Sequence, residues 1–131
     1  MHRHARRGCG FRRADPIFRL VDSRGTSTSA AEEIVKLVPG AKAVEAIPPM
    51  AQILAADSRR LDGQQISVYY CGNDAVAKAS VASLLRDRDL DPVDAGPLTS
   101  ARYIEPAGML CVQSAYGMGM GAKLAMKLLR G

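Results

Sequence analysis

Beyond residue 26, the chain opens with the apolar spacing of a helix face. Four apolar residues recur at i, i+3, i+4 and i+7, the pattern of a helix that packs on a core. They are Ala31, Ile34, Val35 and Val38. Ser29 and Glu32 have the spacing of a capping box, which closes the amino end of a helix. The Pro39-Gly40 pair should end the helix, which is therefore predicted between Ser29 and Pro39.

Three short runs favour β-strands. Ala41–Ile47 predicts one short strand, and Pro92–Gly96 predicts another that ends in a turn. Ile66–Cys71 is rich in strand-forming residues but lacks a polar–apolar alternation. A strand of that kind is usually buried on both faces, as in a parallel sheet. This run is therefore expected near the centre of a sheet.

Two helices are predicted between these strands. Pro48-Pro49 can open the first, because the first helical positions need no backbone donor. Its inner face would be formed by Met50, Ile53 and Leu54. Ser58–Gln65 is expected to be a polar loop, and Asp74 should cap the second helix. The inner face of that helix would be formed by Ala77, Val81, Leu84 and Leu85.

The last part of the chain predicts two more helices. One runs from about Ser100 to Tyr116, with Pro106 near its first turns, and the other runs from Ala122 to Leu129. The glycine-rich stretch Gly117–Gly121 should break the chain between them. Strands separated by helices imply parallel crossovers. The fold class predicted is α/β, a piece of a layered domain with parallel strands and helices.

The positive charge of the chain is confined to its beginning. The net charge is +5, and residues 1–24 alone carry seven Arg against Asp15 and Asp22. The remaining residues have equal numbers of acidic and basic side chains. Residues 1–25 are therefore predicted to form a basic, disordered head: a transit sequence, an RNA-binding arm, a misplaced start or a tail left by truncation. A neutral body makes nucleic acid an improbable partner, because a binding face is normally spread over a folded surface.

Composition favours a soluble domain in a reducing compartment. The cysteines Cys9, Cys71 and Cys111 are odd in number and widely spaced, so neither a disulfide framework nor a metal site is indicated. The cytoplasm is the compartment expected for such a chain. No apolar run approaches the roughly 18–20 residues that cross a bilayer, so no membrane association is expected.

Motifs for catalysis are absent from the body of the chain. Gly117–Gly121 lacks the G-x-G-x-x-G spacing and follows a predicted helix rather than a strand, so a turn between helices is favoured over a phosphate loop. Both histidines lie in the head, which removes histidine-based acid–base chemistry. Asp74 suits a helix cap and Asp94 suits a turn. No catalytic residue is assigned, and the carboxylates Asp74, Asp94 and Glu105 are spread out along the chain.

A set of runs along residues 26–131 nevertheless resembles one family. The runs are Ser27–Ile34, Val38–Ala41, Ala46–Pro49, Tyr70–Asp74 with Ala77-Lys78, Asp91–Leu98, Ala101–Pro106 and the Gly-Met-Gly end. The most distinctive is "DAGPL…AR…EP". Together they are similar to the NADPH-dependent reductases of the deazaflavin coenzyme F-420 and to their bacterial NADP-binding relatives. Residues 26–131 correspond to the C-terminal portion of such a protein.

The resemblance implies a fold, an activity and a site. The fold is the C-terminal part of a Rossmann-type NAD(P)-binding domain, and the activity is hydride transfer between NADP(H) and coenzyme F-420 or a flavin-like cofactor. In such enzymes the cofactors carry the chemistry. The cofactor-binding residues implied are Ile47, Pro48, Pro49, Gly119, Met120, Gly121 and Leu124. Relatives are usually dimers, with contacts that correspond to Ser100–Tyr116 and Ala122–Leu129.

The chain departs from the family at two points. Its sequence lacks the glycine-rich turn that grips the pyrophosphate, so the half with G-x-G-x-x-G is taken as absent and the isolated chain is expected to bind NADP weakly. Glu45-Ala46 precedes Ile47, where many relatives have a polar pair, and the role of Glu45 is left open. Two alternatives stay open: a non-enzymatic α/β dimerisation module, and a nucleic-acid binder with a basic arm.

Overall fold

The fold is given by a computed structural model, which describes residues 27–131. The predictions for residues 1–25 lie outside the described part. The helices are α1 (Ala30–Leu37), α2 (Ala51–Leu54), α3 (Ala75–Asp87) and α4 (Ala101–Val112). The strands are β1 (Val44–Ala46), β2 (Ser67–Gly72) and β3 (Asp91–Asp94). A 3-10 turn, Leu98–Ser100, precedes α4, and a π-helical turn, Gln113–Gly117, follows it.

Local chemistry starts the helices where the sequence predicted. The Ser29 side chain accepts a hydrogen bond from the Glu32 amide at 3.1 Å, which caps α1. The Asp74 carboxylate accepts one from the Ala77 amide at 2.8 Å, which caps α3. Each cap satisfies a backbone donor that the helix itself leaves unpaired. Gly119 and Gly121 have positive φ angles of 72° and 86°, so the predicted glycine break after α4 is also present.

The sheet is mixed, which corrects the expectation of parallel strands throughout. Its order is β1-β2-β3. β2 and β3 are parallel as predicted, but β1 is antiparallel to β2. The connection from β2 to β3 contains α3, of thirteen residues, which covers about 20 Å, the length of a strand that a parallel return must span. The connection from β1 to β2 contains only the four-residue α2.

β2 is buried on both faces, as its composition predicted. On one face, Val68 packs with Ile53 of α2, Ile66 and Leu90. On the other face, Cys71 packs with residues of the 3-10 turn and α4, namely Leu98, Ala101 and Ile104. Val68 and Cys71 are fully buried. The central strand therefore holds two small cores together, one on each side of the sheet.

Two predicted helix faces differ from those in the structure. In α1, Ala31 and Val35 pack on the core, but Ile34 and Val38 are 59% and 52% exposed. In α3, Leu84 is exposed and Ala82 is buried instead. The α3 face is rotated because Lys78 lies on the inner side, where its ammonium group bonds Asp94 at 2.7 Å and the Gly96 carbonyl at 3.0 Å. A lysine stem can cover apolar surface while its charge stays solvated, which hydrophobic spacing does not reveal.

The segment predicted as a last helix, Ala122–Leu129, is extended. The Ser67 amide donates to the Met126 carbonyl at 3.0 Å, and the Leu128 amide donates to the Ser67 hydroxyl at 2.9 Å. β1 pairs only with residues 70–72 of β2, and its continuation reaches Tyr69. The amide of Ser67 on this buried strand would otherwise lack a partner. Because unpaired buried amides are costly, the end of the chain lies beside β2 rather than coiling on itself.

Candidate functional site

A cavity of about 380 Å³ lies between the start of α1, the end of β1, α4 and the extended end of the chain. Its walls are mainly apolar. They include Ile47, Pro48, Pro49, Met109, Val112 and Leu124. Ligand pockets commonly have this size and this apolar character, with a few polar groups that fix the orientation of the ligand. The cavity is thus the candidate binding site within residues 27–131.

The structure brings four of the seven predicted cofactor-binding residues together. Ile47, Pro48 and Pro49 form one side of the cavity, and Leu124 approaches it from the end of the chain. The other three, Gly119, Met120 and Gly121, lie in the turn after α4 and do not line the cavity. Met120 is 64% exposed. Cofactor binding by any of the seven stays a prediction.

Glu105 joins α4 to the start of α1. Its two carboxylate oxygens accept hydrogen bonds from the Ala30 amide at 3.0 Å and the Ala31 amide at 3.1 Å. One turn earlier on α4, Arg102 donates to both oxygens of Glu32, at 2.9 and 2.7 Å. A helix amino end carries partial positive charge and free N–H groups, which stabilise a carboxylate. Glu105 is therefore held at the cavity wall as a hydrogen-bond acceptor.

Glu45 faces the same cavity from β1. Its Oε2 atom is buried and has no hydrogen-bond partner among the described residues. Burial, and after it the nearby carboxyl group of Glu105, raise the pKa of Glu45 to about 7. A carboxyl group in an apolar place beside a second carboxyl group loses its proton less readily. Glu45 therefore holds its proton to a higher pH than an ordinary glutamate does.

This pair is only weakly indicated by the sequence. Glu45 departs from the polar pair that many related sequences have, and Glu105 is one of three widely spaced carboxylates. A glutamate inside a β-prone run is unusual, and this is the feature of the sequence that points to Glu45. The two residues are sixty positions apart in the chain, so only the fold could show that they meet.

The remaining candidate groups have structural roles. Asp74 caps α3, and Asp94 accepts from Lys78 and from the Gly96 amide at 2.8 Å, as expected of a turn residue. Cys111 lines the cavity, and burial raises the pKa of its thiol. No group of three or more His, Cys, Asp or Glu residues able to hold a metal ion occurs in the described part of the chain. The cavity is thus suited to bind a mainly apolar ligand, and Glu45 is its group that can gain or lose a proton near neutral pH.

Within residues 27–131, no helix is long and apolar enough to cross a membrane.

No family model matches the chain. A solved structure from Arthrobacter sp. FB24, described as a putative F-420-dependent NADP reductase, is 35% identical to it, with a TM-score of 0.66. The similarity covers 76% of this chain and 45% of the Arthrobacter chain, so this chain spans less than half of that protein's length. The α/β fold with its mixed three-stranded sheet is consistent with part of a Rossmann-like domain. In sequence and in fold, the chain is similar to a portion of a protein described as an oxidoreductase.

Proposed function

We propose that this chain forms the ring-binding part of an NADP-dependent oxidoreductase that transfers a hydride between NADP(H) and the deazaflavin coenzyme F-420. One observation carries the proposal. Ile47, Pro48, Pro49 and Leu124, which the family resemblance implies as cofactor-binding residues, line one apolar cavity although 77 positions separate the ends of the set. The description of the Arthrobacter protein as a putative F-420-dependent NADP reductase supports the same function.

The chemistry of the cavity suits the ring of a cofactor rather than its phosphates. Its wall is apolar, and the ionisable groups that line it are Glu45, Glu105 and Cys111, none of them cationic. A phosphate in this place would find no cationic side chain of the lining to pair with. Planar rings gain from burial of their apolar faces and are oriented by a few polar groups. Exclusion of water around two juxtaposed rings also favours hydride transfer, because the protein then acts chiefly by positioning.

Binding of coenzyme F-420 tests the proposal directly. We expect the fluorescence of the deazaflavin to change on titration with the chain, and NADP alone to bind weakly because the sequence lacks a pyrophosphate-binding turn. Leu124→Arg, which puts a charge into the cavity wall, should weaken deazaflavin binding at least tenfold. Leu129→Arg is the matched control, since Leu129 is 78% exposed on the same segment. Absence of any deazaflavin binding, or equal loss in both variants, would contradict the proposal.

A further inference from the structure

The polar side of the cavity is acidic. The carboxyl groups of Glu45 and Glu105 face it, and no Lys or Arg of the described residues lines it. Three cations of neighbouring elements pair with other carboxylates: Arg102 with Glu32, Lys78 with Asp94, and Lys127 with Asp91 at 3.1 Å. A ligand in the cavity therefore meets two carboxyl groups and no cationic side chain of the lining.

The proton of the pair belongs to Glu45, for a geometric reason. Both oxygens of Glu105 accept backbone amides at the start of α1, so Glu105 is held as a hydrogen-bond acceptor. Glu45 has no such donors, and its Oε2 atom is buried without a partner. The groups that face Glu45 from the packed elements are Glu105 of α4 and the Cys71 thiol of β2, and neither is a cation.

We infer that this cavity selects ring ligands by charge: it binds a cationic aromatic ring, of which oxidised nicotinamide is the type, in exchange for the proton on Glu45. The inference rests on the proposed function and names the form of the ring that the site prefers. A pyridinium ring beside Glu45 favours the ionised carboxyl, so binding of the cation releases a proton. An uncharged ring of the same shape is not attracted by the charge of ionised Glu45, so loss of the proton does not raise its affinity.

The affinity of the cavity for a cationic ring should depend on pH. Because burial and Glu105 raise the pKa of Glu45 to about 7, the carboxyl must lose its proton at acidic pH before it can pair with a cation. At alkaline pH it is already ionised. Affinity for a cationic ring should therefore rise about tenfold between pH 5.5 and pH 8.5, the size of effect expected for one partly screened charge pair. Affinity for an uncharged ring should stay level or fall.

Two ring probes of matched shape test this with the full chain. The cation is 1-methylnicotinamide, and its uncharged isostere is 3-methylbenzamide; neither titrates between pH 5.5 and pH 8.5. Binding of each is measured by nuclear magnetic resonance titration at both pH values. We expect tighter binding of the cation at pH 8.5 and no such gain for the benzamide. The cavity-wall signals of Met109 and Met126 should shift with both probes, since both side chains line the site.

A charge-removing variant identifies the residue responsible. Glu45→Gln should abolish the pH dependence and the preference for the cation. Asp87→Asn is the control, because it removes one negative charge from an exposed site on α3 and should behave as the unaltered chain does. Binding of both probes without discrimination, or discrimination that survives in Glu45→Gln, would overturn the inference but leave the proposed function standing. Binding of neither probe would overturn the inference, while the titration with coenzyme F-420 would still decide the proposed function.

Discussion

Glu45 and Glu105 show how one residue type takes two roles from its surroundings. Glu105 accepts two amides at a helix amino end, an arrangement that stabilises its charge. Glu45 has a buried oxygen without a partner and lies beside that charge. Its proton is therefore favoured by the native fold. The cost of removing this proton is a property of the folded chain, because in the unfolded chain the two residues are far apart.

The stability of the chain should consequently fall as pH rises. The pKa of Glu45 is about 7 in the fold, against about 4.3 for an ordinary glutamate. The folded chain binds more protons than the unfolded chain between these values, so the free energy of unfolding declines with pH across this window. Glu45→Gln cannot ionise. We expect it to be more stable than the unaltered chain by roughly 1–3 kcal/mol at pH 8.5 and to match it near pH 4.5.

Urea denaturation at the two pH values measures this difference. Asp87→Asn serves again as the control and should follow the unaltered chain at both. A Glu45→Gln variant whose stability relative to the unaltered chain is the same at pH 4.5 and pH 8.5 would show that Glu45 titrates normally. The proton-sharing pair would then be abandoned.

At the scale of elements, the extended end of the chain is the clearest departure from prediction. Its apolar spacing suggested a helix, yet residues 124–126 form part of the cavity wall and the Met126 carbonyl pairs with β2. Ser67 is central to this contact. Its hydroxyl accepts from the Leu128 amide and donates to Asp91 at 3.1 Å, and Asp91 also pairs with Lys127. A few polar contacts beside β2 thus hold one wall of the candidate site.

Ser67→Ala should loosen this segment. It leaves the Leu128 amide without its acceptor, which should cost about 1 kcal/mol of stability. Amide hydrogen exchange should become faster at residues 124–128 before it does in α3. Ser80→Ala is the matched control, because the Ser80 hydroxyl donates only to the Val76 carbonyl on the exposed face of α3. Unchanged exchange at residues 124–128 in Ser67→Ala would mean that apolar packing alone holds the segment.

At the scale of the whole molecule, exposed apolar side chains concentrate in the C-terminal part. They are Tyr103, Leu110, Tyr116, Met118, Met120 and Leu129. Exposed apolar side chains grouped in one part of a molecule can mark an interface. Four of them, Tyr103, Leu110, Tyr116 and Leu129, lie in the segments that the family resemblance implies as dimer contacts, Ser100–Tyr116 and Ala122–Leu129. A second group of exposed apolar residues, on α1, includes Ile34, Leu37 and Val38.

Self-association through the C-terminal part is therefore predicted. Sedimentation at several concentrations should show a dimer at high micromolar concentration. Leu110→Glu, which places a charge on α4, should weaken that dimer at least tenfold. Leu84→Glu is a close control, since Leu84 on α3 is 64% exposed and Leu110 is 65% exposed. A monomer at every concentration, or equal weakening by both substitutions, would rule out this interface.

The sequence by itself determined the features that depend on near neighbours. The capping side chains Ser29 and Asp74 act within three residues, the glycine break needs only its own backbone freedom, and the composition of Ile66–Cys71 indicated burial on both faces. Such features are readable because the interacting groups lie in one short window.

Only the tertiary structure decided the direction of β1, the extended path of Ala122–Leu129 and the meeting of Glu45 with Glu105. Each depends on groups far apart in the chain. The path of the last segment depends on which amides of β2 are left unpaired by β1, and the direction of β1 is seen only in its pairing with β2. The proton on Glu45 depends on a carboxylate sixty residues away. Hydrophobic spacing records burial but not the partner that buried polar groups must find, so these features emerged only from the assembled fold.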